Sequence, residues 1–254
     1  MQTHDVSWAT NSANPVPRLS IAAAAVAACL AASVASAATV TINTVNAPET
    51  VIPGLTAFAT TGADMTGLSV RAMFTGGLDQ TLPWAPTGVV GGGGVTGAGW
   101  SLSVTGDTFT APWNFTFVNA SIGQLSQLIL DGSAGLTIFD RTEPSPGTNG
   151  SAQGNDFAFS AFCATCDAFV TYSGRTALTG DPPLNDLWQT VTISFINPAS
   201  GANTGPRTDF SFLQDTDNDV RRFVPEPETY AMMLAGLGLL GFIARRRMRN
   251  DNTA

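Results

Sequence analysis

Apolar and polar residues alternate in short runs along the middle of the chain. The run WNFTFV (113–118) places aromatic residues between Asn114 and Thr116, and TVTISF (190–195) places Val, Ile and Phe between Thr and Ser residues. A period of two is typical of strands that bury one face, as in antiparallel sheets. The middle of the chain is therefore predicted to be built from strands.

Similar runs recur, separated by turns that contain Gly or Pro. No long segment of this region carries a helical stripe. The predicted strands are 38–44, 67–74, 99–105, 113–118, 125–130, 135–140, 156–162, 168–173, 187–196 and 208–213. Many short strands with such turns predict an all-β fold, an antiparallel β-sandwich of jelly-roll-like topology. The long segment 81–99 contains Gly91–Gly94, which we expect to form a flexible loop tip.

Composition narrows the chemistry that this body can perform. The chain is 44% hydrophobic and 12% charged, all eleven basic residues are arginine, and the one histidine is His4. Without His or Lys in the body, Ser-His-Asp, Cys-His and Schiff-base mechanisms are excluded there. The net charge of −8 lacks the excess of positive charge that binding to nucleic acid requires.

The N-terminal segment has the parts of a secretory signal. Arg18 precedes an apolar or small run, Leu19–Val34, and Ala35-Ser36-Ala37 follows with small residues where signal peptidase requires them. We predict a signal helix in residues 1–37, with cleavage after Ala37. A buried Ala-rich helix and lipid attachment at Cys29 are the alternatives.

The C-terminal segment predicts a short transmembrane helix. Thr229–Ala244 is apolar apart from Thr229 and the Tyr230 hydroxyl. As a helix it would span roughly 24 Å, against about 30 Å of hydrocarbon in a bilayer. An arginine cluster follows and should stay on the cytoplasmic side, so the body should lie outside. The cluster is Arg245, Arg246, Arg247 and Arg249.

A stiff acidic motif, Pro225-Glu226-Pro227, precedes the apolar stretch. Together, the motif, the apolar helix and the arginine cluster of residues 224–250 resemble the PEP-CTERM sorting signal. The resemblance implies processing near the motif by exosortase, a membrane-embedded enzyme of Gram-negative bacteria that resembles cysteine transpeptidases. It implies passage through the inner membrane to the cell surface or extracellular matrix, often with exopolysaccharide, biofilm or floc. A plain membrane anchor is the alternative.

The remaining chain is divided into a β-sandwich surface domain, 38–214, and an acidic linker, 215–223. Cys163 and Cys166 form C-x-x-C between aromatic strands. In an oxidising compartment this spacing favours a disulfide. A redox motif and a metal site are the weaker alternatives, because no βαβ context and no further Cys or His ligand accompany the pair.

Asp215, Asp217 and Asp219 alternate in QDTDNDVRRF. Alternating carboxylates resemble the start of a calcium loop, so Ca²⁺ is a candidate cofactor. Val220 stands where that loop has Gly, and no Glu follows six residues later. A solvated acidic linker is the alternative.

Trp84 lies between Pro83 and Pro86 in a predicted loop and is the candidate for stacking on a sugar ring. A glycosidase would need two carboxylates across a cleft, and the sequence identifies no such pair. We therefore expect no enzyme but a structural or adhesive protein of an extracellular polysaccharide matrix. The alternatives are a carbohydrate-binding module, with or without calcium, and, less favoured, an extracellular hydrolase.

Overall fold

The structure is a computed structural model that describes residues 38–56, 59–142, 147–148, 151, 154–161, 166–223, 234–237 and 240. Strands dominate the described residues. They are β1 (Thr39–Val45), β2 (Thr50–Ile52), β3 (Leu55–Thr56), β4 (Ser69–Phe74), β5 (Asp79–Pro83), β6 (Ala85–Pro86), β7 (Gly92–Thr96), β8 (Trp100–Thr105), β9 (Trp113–Phe117), β10 (Leu125–Asp131), β11 (Thr137–Asp140), β12 (Ala158–Ala161), β13 (Asp167–Leu178), β14 (Leu187–Ser194), β15 (Phe210–Leu213) and β16 (Asp215–Asp219). Short 3₁₀ turns occupy Gly62–Met65, Ala120–Ile122 and Val220–Phe223.

The strands form two sheets. A 10-stranded sheet runs in the order β3-β16-β11-β14-β10-β4-β5, with β13 also paired to β14 and with β1 and β2 paired to β13. A 6-stranded sheet runs in the order β12-β15-β9-β8-β7-β6. Most neighbours are antiparallel, which confirms the all-β prediction. The predicted antiparallel arrangement holds for most pairs, and the exceptions are β1 and β2, which both lie parallel to β13.

The two sheets share one aromatic core. Phe74 of the larger sheet packs against Trp100 and Phe115 of the smaller sheet, with ring centroids 6.3 Å apart in both cases. Phe195, which follows β14 of the larger sheet, meets Phe210 of the smaller sheet edge to face. The alternation predicted from the sequence produces this core, because every second residue of strands such as β4 and β8 is buried. The jelly-roll topology stays a prediction.

All ten predicted strands coincide with a strand of the structure, although β13 extends five residues beyond its predicted end at 173. The prediction of a flexible loop tip at the glycine run is wrong, because Gly92–Thr96 is strand β7. A Cβ built on Gly93 would lie 1.9 Å from the Gly62 carbonyl oxygen and 2.2 Å from Trp84 Nε1. Glycine is therefore required where the strand passes beneath Trp84.

The predicted acidic linker is instead part of the larger sheet over residues 215–219. Asp215–Asp219 is strand β16, which pairs with β11 over four residues and with β3 over two. All five of its residues are buried. The sheet therefore continues past the predicted domain end at 214, because backbone pairing with β11 and β3 gives this polar segment an ordered place.

The predicted signal helix, 1–37, lies outside the described residues. In the predicted membrane helix, residues 234–237 and 240 are helical and exposed. Within the part of the chain that is described, no helix is both long and apolar enough to cross a bilayer.

Candidate functional site

Strands β11 and β16 bring three aspartates to one face of the larger sheet. Asp140 lies directly opposite Asp215 in the antiparallel register, and Asp217 follows two residues along β16. Residues two apart on a strand, and residues opposite each other across a pair, project to the same side. Asp140, Asp215 and Asp217 therefore form a cluster, called here the acidic cluster.

Ser151 joins two members of the acidic cluster. Its Oγ lies 2.8 Å from Asp140 Oδ2 and 2.5 Å from Asp217 Oδ2. A hydroxyl has one hydrogen to donate, so it cannot donate to both carboxylates. A proton on one of the two carboxyl groups lets that group donate to Ser151 Oγ while the hydroxyl donates to the other.

The third member, Asp215, is held by hydrogen bonds from the neighbouring loop and strand. Its Oδ1 accepts hydrogen bonds from Thr108 Oγ1 at 3.0 Å and from the backbone N–H of Thr216 at 2.8 Å. Thr108 Oγ1 also lies 3.0 Å from Thr216 Oγ1. These contacts fix one carboxylate oxygen of Asp215 against the protein.

The surroundings of the acidic cluster favour the uncharged acids. Burial, followed by the charge of Asp217, raises the pKa of Asp140 to about 8. Burial also raises the pKa of Asp217 to about 7, against the opposing hydrogen bond from Ser151. Burial raises the pKa of Asp215 to about 6, while the hydrogen bond from Thr108 opposes the rise. Desolvation dominates in all three groups.

No arginine compensates the acidic cluster within the described residues. The ion pairs found there use other carboxylates: Arg71–Asp79, Arg141–Asp156, Arg175–Glu49 and Arg221–Asp219. Asp186 lies close enough to raise the pKa of Asp140 and Asp217, and it accepts two hydrogen bonds from Thr148. Several carboxyl groups therefore lie near one another here, and none of them has a basic partner among the described residues.

A cavity of about 250 Å³ opens beside β16. It is called here the acidic cavity. Its lining consists of Thr60, Asp107, Phe109, Ser151, Asp215, Thr216 and Asp217. Thr60 is 1% exposed, and its hydroxyl oxygen has no hydrogen-bond partner among the described residues. Phe109 is 42% exposed, so an aromatic ring stands beside a polar, negatively charged recess.

The predicted calcium residues separate into two groups. Asp215 and Asp217 line the acidic cavity, whereas Asp219 accepts hydrogen bonds from the backbone N–H of Arg221 at 2.9 Å and from its Nε at 2.8 Å. In the described residues, no group of three or more His, Cys, Asp or Glu side chains is placed to hold a metal ion. The expected three-aspartate calcium loop is therefore not formed.

Sequence reasoning missed Asp107, Asp140 and Thr60. Asp107 bridges to Thr61 in a short antiparallel contact, and Asp140 reaches the site through its pairing with β16. Both contacts join segments that are distant in sequence. The local signal available was the acidic run itself, which includes Asp215 and Asp217 but not the residues contributed by other segments.

The prediction that Trp84 contacts a glycan is wrong, because this side chain is buried. The side chain is 1% exposed, and its indole N–H donates to the Gly62 carbonyl at 2.7 Å. Its ring packs against Trp113 at 5.2 Å between centroids. The flanking prolines suggested a loop, but Pro83 ends β5 and Trp84 turns inward. It offers no exposed face to a sugar.

The other predicted site residues fall mostly outside the described residues. These are the cleavage residues Ala35 and Ala37, the motif Pro225, Glu226 and Pro227, the cluster Arg245, Arg246 and Arg247, and Cys163. Cys166 is described and fully buried in the aromatic core. The Cys163–Cys166 pairing stays a prediction.

Comparison with known proteins identifies only the C-terminal segment. We found no matching curated protein and no matching solved structure. Residues 223–247 match the family model described as the PEP-CTERM protein-sorting motif. The match includes Pro225, Glu226 and Pro227 and extends to Arg247. The chain thus carries a PEP-CTERM sorting motif, which implies that it is exported and processed by exosortase.

Proposed function

We propose that this protein is a structural or adhesive component of an extracellular polysaccharide matrix, biofilm or floc. In this proposal exosortase removes the C-terminal signal and releases the β-sheet body to the surface of a Gram-negative cell or to its matrix. The observation that carries the proposal is the sorting motif at 223–247, which follows the last strand of the sheet almost directly.

The composition of residues 38–223 and the size of the acidic cavity favour a role without catalysis. These residues include no His and no Lys, which removes the common nucleophile and base pairs. The acidic cavity, at about 250 Å³, is smaller than the roughly 300–1,000 Å³ of pockets that enclose drug-sized ligands. This size favours water or an ion over a polymer segment that must lie between two carboxylates. The hydrolase alternative is therefore the weaker one.

The test of sorting is the mass of the native protein in membrane and extracellular fractions. The change Glu226→Ala removes the acid of the motif, and Glu228→Ala is a matched control that removes the next acid along the chain. We expect wild type and Glu228→Ala to end near residues 224–227 and to appear outside the inner membrane. Glu226→Ala should retain residues 230–249 in the membrane fraction.

The matrix role needs a separate readout. A strain that lacks the protein should form weaker floc or biofilm, and wild type should restore it while Glu226→Ala should not. Correct processing with unchanged floc and biofilm would contradict the matrix role and leave sorting intact. Retention of the tail in wild type would contradict sorting, and the matrix role with it.

A second candidate is carbohydrate binding that calcium assists. The observation that favours it is the exposed ring of Phe109 beside the acidic cavity, because aromatic rings and oriented polar groups together recognise sugars. Binding to exopolysaccharide fragments should fall with Phe109→Ala and with chelator, and Val118→Ala, an exposed control, should not change it. Equal binding by wild type, Phe109→Ala and Val118→Ala, with or without chelator, would exclude this candidate.

A further inference from the structure

The acidic cavity combines two independent features that call for a ligand. The first is the set of carboxyl side chains in its lining, Asp107, Asp215 and Asp217, which no arginine of the described residues pairs with. The second is the Thr60 hydroxyl, buried at 1% exposure and without a hydrogen-bond partner among the described residues. Buried polar groups are nearly always satisfied, so Thr60 indicates a missing donor or cation.

We propose that the acidic cavity binds a divalent cation, Ca²⁺, through carboxylate oxygens of Asp215 and Asp217 and the hydroxyl oxygen of Thr60. Asp107 lines the same cavity and adds negative charge at its edge. Asp140 lies outside the lining of the cavity and is linked to Asp217 through the shared contact with Ser151 Oγ. This site differs from a local calcium loop, because Asp219 is excluded and Thr60 comes from a distant segment.

The ligand chemistry selects calcium among the common cations. Every side-chain ligand at the cavity is a hard oxygen, which suits Ca²⁺ and leaves zinc without the nitrogen or sulfur ligands it favours. Calcium accepts six to eight oxygens in irregular geometry and commonly completes its shell with water, whereas Mg²⁺ demands a near-ideal octahedron. A mixed set with two carboxylates is therefore consistent with the absence, among the described residues, of a group of three acidic ligands.

The volume and the carboxyl lining of the acidic cavity also suit a hydrated cation. Since a water molecule occupies about 30 Å³ in the liquid, a space of about 250 Å³ holds an ion with several waters. Asp215 keeps one carboxylate oxygen, Oδ2, outside the contacts with Thr108 and the Thr216 N–H, which use Oδ1. A divalent ion would neutralise carboxylates that no arginine of the described residues pairs with.

The test is calcium titration by calorimetry of the purified full chain after metal removal. We expect one calcium ion per chain and a rise of several degrees in Tm at saturating calcium. Thr60→Val keeps the shape of the side chain but removes its oxygen, and should weaken calcium binding several-fold. The double variant Asp215→Asn, Asp217→Asn should weaken binding at least tenfold.

Asp79→Asn is the matched control, because it removes an exposed carboxylate paired with Arg71 on β4. It should bind calcium as wild type does. Circular dichroism in metal-free buffer establishes that each variant is folded, and Thr60→Val alone suffices if the double variant is not. The proposal is overturned if folded wild type binds no calcium at millimolar concentration, or if Thr60→Val and the double variant bind like Asp79→Asn.

Discussion

Replacing Asp140 with Asn tests whether ionisation of this buried carboxyl destabilises the folded protein. Asn has nearly the shape of the protonated acid and carries no charge. The buried carboxyl of Asp140 has its pKa raised from 3.8 to about 8, and one pKa unit is worth about 1.4 kcal/mol. Ionising Asp140 in the folded protein would therefore cost at most about 6 kcal/mol, an upper bound because the neighbouring acids titrate together.

The sign of the effect follows from proton binding. Because its pKa is higher in the folded state, Asp140 binds its proton more tightly there than in the unfolded chain. Its stabilising contribution is complete below about pH 4 and is lost as the pH rises through about 8. In metal-free buffer, wild type should therefore lose stability over this range. Asp140→Asn should lose less and exceed wild type by about 2 kcal/mol or more near the upper limit.

The assay is urea unfolding followed by tryptophan fluorescence, because Trp84, Trp100, Trp113 and Trp188 are all buried. Measurements at about pH 4.5, 6.5 and 8.5 cover the titration. Asp79→Asn is the control: the Arg71 hydrogen bond lowers the pKa of Asp79, so this change should not stabilise the protein at high pH. The reasoning is refuted if wild-type stability is flat over this range and Asp140→Asn is the less stable protein at about pH 8.5.

Two further predictions concern the packing beneath the smaller sheet. Trp84→Ala should destabilise the protein by about 3–5 kcal/mol, as expected for deletion of a buried Trp, with the urea midpoint as the measurement; a loss below about 1 kcal/mol would fit an exposed ring instead. Gly93→Ala should cost about 1–3 kcal/mol or more, because its Cβ would overlap the Gly62 carbonyl and Trp84. Gly54→Ala is its control, since that Cβ would meet only Val220 at an ordinary 3.5 Å, and equal effects of the two changes would contradict this reading.

The sequence predicted the strands that alternate locally, such as β8 and β9, because their burial pattern repeats within a few residues. It did not predict β7 or β16. Strand β7 is rich in glycine, so its place depends on the close approach of Gly62 and Trp84. Strand β16 is wholly polar, so no apolar periodicity marks it, and only pairing with β11 and β3 orders it.

The candidate site was predictable only in part for the same reason. Asp215 and Asp217 stand out as a local acidic run, but the contribution of Asp140 depends on the β11–β16 register. Thr60 is an ordinary threonine until its burial and its unpartnered hydroxyl are known. Long-range register and burial therefore supply what the sequence pattern lacks.

Strand β16 extends the folded body beyond residue 214. A chain ending at residue 214, the boundary expected from sequence, would lose four paired positions with β11, two with β3, and the Thr108–Thr216 contact. At about 0.5–1.5 kcal/mol for each net hydrogen bond, the loss approaches the whole stability of about 5–15 kcal/mol of a typical domain.

We therefore expect residues 38–223 to give a cooperative urea transition and residues 38–214 to be largely unfolded, as measured by fluorescence and circular dichroism. Equal stability of the two chains would mean that β16 is an accessory strand. Pro225 lies six residues beyond Asp219, so even a fully extended chain separates them by only about 20 Å. Processing at the motif must therefore occur close to the folded sheet, and it can leave β16 and the acidic cluster intact only if cleavage falls after Asp219.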